Sequence, residues 1–174
     1  HLGYQFYTEQ MNETAREHLI MQNKIKVGHE QKEFLNHYQA IFDIDLDEIV
    51  GFELLMRWKS DLQYISPEQF IPIAEEIGMI MDMTRDAILR GIKDTVQWHA
   101  SGFDGYLLVN LSARHFDTYF DVSDILAWLE YYHLPTSAIR FEITENVLVK
   151  DNQKVLSYMQ AISDAGFIIA LDDF

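Results

Sequence analysis

The chain contains no cysteine, which excludes disulfides, thiolate nucleophiles and Cys-bearing zinc sites. It is also short of positive charge: 13 Lys and Arg stand against 28 Asp and Glu, a formal net charge of −15. Polymeric nucleic acid is therefore a poor partner, because counterion release needs clustered Lys and Arg. A small phosphate ester held through metal ions remains open, since bound cations invert the local electrostatics. No apolar run is long enough to span a bilayer, and nothing resembles a signal peptide. The expected setting is a reducing cytoplasm, compatible with the cytoplasmic part of a membrane-tethered sensor. The seven histidines show no zinc spacing such as H-E-x-x-H, and most read as surface or interface side chains.

What is present is enough apolar material for a core. At 174 residues and 48% apolar, the chain reads as a single globular domain preceded by a connector. Residues 1–27 are polar with sparse apolar positions, and are expected to form a helix leading from an upstream domain or a solvated terminal helix. Phe34–Ile44 and Glu48–Trp58 read as strands joined by the acidic turn Asp45–Leu46–Asp47, a hairpin. Ser66–Pro67–Glu68–Gln69 carries helix-start signals: Ser as N-cap, Pro at the first position, and Gln completing a capping box. Phe70, Ile73, Ala74 and Ile77 supply that helix's buried stripe, and Gly78 ends it. A longer helix follows over about Met79–His99. Then come a strand (Tyr106–Leu111), a helix (Val122–Tyr132), a strand (Ile139–Ile143), a helix (Gln153–Ala165) and a strand beginning at Phe167. Such alternation implies right-handed βαβ units and a parallel sheet.

Four apolar stretches place an oxygen ligand at the end of a strand. They are Glu53 in GFELLMRW, Asn110 in LLVNLS, Glu142 in FEITE, and the Asp172–Asp173 pair in IIALDDF. Strands ending this way are how a parallel α/β barrel presents side chains at its mouth. Strand parity puts Glu53, Leu55 and Arg57 on one face and Leu54, Met56 and Trp58 on the other. A carboxylate for a cation and a guanidinium for a phosphate oxygen are natural neighbours there. Each signal also has a plain reading. Glu53 and Arg57 can be a surface ion pair, and Asn110 a strand-end hydrogen-bonder. Glu142 and Glu145 can form a salt-bridged rim, and Asp172–Asp173 a turn or N-cap. Their co-occurrence points to a site for hard divalent cations, where two metals about 4 Å apart assist an in-line phosphoryl displacement.

The ordered set YQ-x-I, GFE-x-L-x-RW, SPEQFIPIAEEIG, VNLSARHF, FEITE and ALDDF closely resembles the EAL domain family. That resemblance implies a TIM-like (β/α) barrel opened by a β-hairpin, over residues 28–174. It also implies a phosphodiesterase that opens cyclic di-GMP to linear pGpG with Mg²⁺ or Mn²⁺. Carried over by position, Glu53, Asn110, Glu142 and Asp172 would hold a first metal, and Asp173 a second, near the attacking water. Gln39, Leu55 and Arg57 would contact the dinucleotide, and Pro72 would shape its pocket. Glu145 would steady the loop after the aspartate pair, which couples catalysis to a homodimer. The run YQFYTEQMN is similar to the linker that follows a GGDEF domain.

Several departures from the family pattern stand out. The eponymous triplet reads Glu53–Leu54–Leu55, with its middle residue expected to face away from the ligands. Ala40 stands for a proline and His115 for a glutamine. The sequence ends at Phe174, ahead of the family's Gly-rich loop, later lysine and last acidic residue. An incomplete barrel of about five strands is expected, where a whole one takes about 250 residues. A non-catalytic cyclic di-GMP receptor, an interaction scaffold and an inactive fragment are the alternatives. The metal ligands that are present favour the enzyme.

Overall fold

The computed structural model describes residues 9–117, 120–144 and 152–172. It opens with α1 (Glu9–Glu30), followed by the hairpin β1 (Phe34–Asp43) and β2 (Glu48–Ser60). The hairpin turn is held by the Asp43 carboxylate, which accepts the backbone N–H groups of Asp45 and Leu46 at 2.9 and 3.1 Å. Short β3 (Gln63–Ile65) pairs back on β2, and α2 (Pro67–Glu76) and α3 (Ile80–Ala100) follow. Then come β4 (Tyr106–Leu111), α4 (Ala113–Asp117), α5 (Ser123–Tyr131), β5 (Ile139–Thr144), α6 (Asn152–Asp164) and β6 (Ile168–Asp172). The sheet order is β1-β2-β4-β5-β6, with β3 attached to β2 alone. β1 runs antiparallel to β2, and every later pairing along that order is parallel. This is the expected architecture: a hairpin leading into a barrel-type parallel α/β sheet.

Two apolar clusters hold it together. The larger lies on the helix side of the sheet, where Leu54, Val109, Phe141 and Ile143 meet Ile88 and Ile92 of α3 and Ile162 of α6. Gly91 lets α3 come close: a Cβ there would stand 2.5 Å from Leu107 Cδ2. The second cluster joins α1, β1, β2 and α2 around Trp58, which is fully buried. Its ring stacks on Phe34 at 5.1 Å, meets Phe70 edge-on at 5.7 Å, and donates its indole N–H to Glu33 Oε2 at 2.8 Å. Ile25 of α1 is fully buried in the same cluster, so the last turns of α1 pack on the sheet domain.

Three details differ from the sequence expectations. Ser66 starts α2 without a side-chain cap; its carbonyl accepts the Gln69 N–H at 3.0 Å instead. The Gln69 N–H is the donor that a Ser66 side-chain cap would take, and it is already engaged by that carbonyl. The strand β3 and the one-turn α4 were not anticipated. The β2–β3 turn uses Asp61 and Leu62 in the left-handed region (φ 48 and 67), without the Asn or Gly that normally announces such a turn. His115 is an exception to the surface or interface reading given to most of the histidines: it is 1% exposed.

Candidate functional site

Residues two apart on a strand share a face, and the register shows which of them become neighbours. Glu53 sits beside Leu108, Asn110 beside Glu142, and Glu142 beside Ala170. Glu53, Asn110 and Glu142 therefore share the sheet face turned away from the helices. Between them in sequence, Leu54, Val109, Phe141 and Ile143 are at most 6% exposed in the core. Asn110 and Glu142 stand near the C-terminal ends of β4 and β5, whereas Glu53 lies mid-strand in β2, which continues seven residues beyond it; neighbouring strands lie about 4.8 Å apart. Asn110 Nδ2 donates to Glu53 Oε1 at 2.7 Å, so the amide and the carboxylate are already in contact. Among the described residues Glu53 and Arg57 form no ion pair, which removes the plain surface-pair reading of those two.

On the other side of β2, Gln39 lies directly opposite Glu53 in the antiparallel register. That register is fixed from behind. The Tyr38 hydroxyl donates to Asp94 on α3 and its ring meets Trp98 edge-on at 4.9 Å. Asn36 Nδ2 donates to the carbonyl of Ala87 at 2.9 Å. Burial, and after it the bond to Asp94, holds the Tyr38 phenol well above its ordinary pKa, so it remains a donor.

A cavity of about 420 Å³ reaches this row at Asn110 alone; Leu55, Arg57, Ile71, Glu75 and His115 also line it, together with Leu54, Val109 and Leu111 of the helix-side face. Arg57 is half-buried and gives one N–H to the carbonyl of Met56 at 3.1 Å. Pro72 lies within α2, exposed, next to the lining residue Ile71. Pro67, Ile71 and Glu75 recur every four residues, so helical periodicity in SPEQFIPIAEE could have marked this wall. Thr84 and His115 had no such signal. Asp172 is the last residue of β6, its backbone in register with Thr144, two places beyond Glu142. Asp173 and Glu145 lie outside the described residues.

Among the described residues no three His, Cys, Asp or Glu side chains converge as a metal cluster. The candidate set is instead two carboxylates and an amide. All three side chains carry oxygen, which suits a hard divalent cation, although Asn110 turns its Nδ2 toward Glu53.

A parallel α/β sheet with oxygen donors at the strand ends and an arginine-flanked cavity defines a class of barrel proteins that work at the mouth of the sheet. The chain belongs to the EAL domain family, whose profile matches residues 22–174. It is 31% identical over 172 residues to the cyclic di-GMP phosphodiesterase PdeR of Escherichia coli, covering 97% of this chain and 25% of that protein. It is 28% identical over 174 residues to the oxygen sensor protein DosP of the same organism, covering 99% and 22%. Among solved structures it resembles the "PaMucR Phosphodiesterase, c-di-GMP complex", with a TM-score of 0.81 and 27% identity over 88% of this chain and 63% of that one. The chain thus spans about a quarter of the length of those two curated relatives.

Proposed function

We propose that this chain is part of a metal-dependent phosphodiesterase that hydrolyses cyclic di-GMP to linear pGpG in bacterial second-messenger signalling. The observation that carries the reading is the row Glu53–Asn110–Glu142 on one sheet face, whose Asn110 lines the same cavity as Arg57 and Leu55. PdeR and the MucR complex, which carry this activity or ligand in their names, support the substrate.

Glu53, Asn110, Glu142 and Asp172 would hold one Mg²⁺ or Mn²⁺, and Asp173 would belong to a second. Bound cations supply Lewis acidity there, lowering the pKa of the attacking water and offsetting charge on the phosphoryl oxygens. The chain's own part is positioning. Gln39, Leu55 and Arg57 orient the dinucleotide, the guanidinium by charge-assisted bonds to a phosphate oxygen, and Pro72 shapes the pocket. Glu145 steadies the loop that follows the aspartate pair. In the net step water adds to one phosphorus, the P–O3′ bond breaks, and the water's proton ends on the leaving 3′ oxygen. A homodimer, an upstream GGDEF or sensor domain, and a cytoplasmic site of action complete the proposal.

The test is chromatographic: cyclic di-GMP incubated with the protein and Mg²⁺ or Mn²⁺, followed by measurement of pGpG. Turnover that Glu53→Gln abolishes supports the enzyme. Full turnover in that variant overturns the assigned role of Glu53. Tight binding without turnover makes the protein a receptor, and no binding at all makes it a scaffold.

A further inference from the structure

His115 is the one fully buried histidine among the described residues, and its ring is bonded on both sides. The backbone N–H of Ser112 lies 3.1 Å from Nδ1, and the Ser112 hydroxyl oxygen is also 3.1 Å from that atom. A backbone amide can only donate, so Nδ1 accepts and the ring proton sits on Nε2. Nε2 in turn lies 3.1 Å from Thr84 Oγ1 on α3. Phe120 meets the ring edge-on at 5.2 Å. The imidazole therefore ties the chain leaving β4 to the helix layer. Leu111 is the last residue of β4 paired to β5, Ser112 follows it, and Asn110 precedes it.

We propose that His115, in its Nε2–H form, is a positioning residue. It fixes the peptide that follows β4 and so holds the Asn110 amide against Glu53. Without the ring, the Ser112 N–H loses its acceptor and the turn can rotate, carrying Asn110 with it. Burial pushes the His115 pKa down to about 4, which keeps the ring neutral and its acceptor free at ordinary pH. Only the consequence for metal binding rests on the reading of Glu53 and Asn110 as ligands; the positioning itself does not.

The experiment is ¹H–¹⁵N spectroscopy of the wild-type chain, Thr84→Val, His115→Gln and His115→Leu, followed by Mn²⁺ titration. The wild-type ring should show Nε2 protonated from pH 5.5 to 7.5 in roughly the range where a free histidine titrates. The Asn110 side-chain amide should be shifted and protected from exchange by its bond to Glu53. That signature should be lost in His115→Leu, weakened in Thr84→Val, and rescued in His115→Gln, which offers an acceptor and a donor from one amide. Mn²⁺ affinity should fall about tenfold in His115→Leu and stay within about twofold in His115→Gln.

An unchanged Asn110 signal in Thr84→Val, or a ring protonated on Nδ1, overturns the proposal, and Thr84→Val keeps it testable should His115→Leu not fold. Failure of the wild type to take Mn²⁺ overturns the metal reading instead, while the Asn110 signal still decides the role of His115.

Discussion

The two faces of the sheet are built from the same strands and serve opposite ends. On the helix side Leu54, Val109, Phe141 and Ile143 are buried; on the other, Glu53, Asn110 and Glu142 form a polar row. Phe141 and Glu142 are adjacent in the chain, yet one belongs to the core and the other to the candidate site. Period-two alternation gives a strand this capacity to separate stability from chemistry residue by residue. One peptide step is therefore enough to change what a mutation does.

The largest effect should come from the core face. Phe141→Ala should cost about 3–5 kcal/mol, read as a drop in the urea midpoint, and the separation of roles breaks if this variant is as stable as wild type. Glu142→Gln and Glu53→Gln should do the reverse. Each should lower Mn²⁺ affinity or turnover by on the order of 10²-fold or more, beyond what outer-shell partners contribute. Thermal melting should place both within about 1 kcal/mol of wild type.

His115, packed on the helix side against Thr84 and Phe120, adds a pH dependence. Its folded pKa of about 4 lies below the unfolded value of about 6.5, so the unfolded chain binds the extra proton first. Its stabilising contribution is complete above about pH 6.5 and is lost as pH falls through 4, by up to roughly 3 kcal/mol. Denaturant titrations at a series of pH values should show this slope in wild type and its loss in His115→Gln. The smallest effect should come from Leu62, which is 88% exposed with φ at 67 in the β2–β3 turn. Leu62→Gly should stabilise the chain by about 1 kcal/mol and leave Mn²⁺ binding unchanged, since Leu62 belongs to neither face.

The hairpin and the later helix–strand alternation were legible because each rests on a local pattern: an acidic turn, period-two strands, glycines after helices. Both Gly78 and Gly166 do take positive φ where α2 and α6 end (75 and 93). What escaped lacked a local signal. β3 is three residues long, too short for alternation to register, and its turn uses Asp61 and Leu62 in place of the usual residues. The pairing of Glu53 with Asn110 could be stated only as shared chemistry, because their contact depends on the order of strands 57 residues apart in sequence. The fate of His115 was hidden for the same reason. Nothing near VNLSARHF shows that Thr84, 31 residues upstream, will meet its ring.

Trp58 carries one more consequence, an optical one. The sequence has three tryptophans, and Trp58 alone among them is fully enclosed, at the joint where α1 and α2 close over the end of β2. Gly28 of α1 comes so near that a Cβ there would stand 2.9 Å from the indole nitrogen. With Trp98 and Trp128 changed to phenylalanine, the emission colour of the remaining indole would report whether the leading helix is seated or lifted. The molecule thus contains its own fluorescent gauge of any strain that arrives through α1, set five residues along the same strand from Glu53.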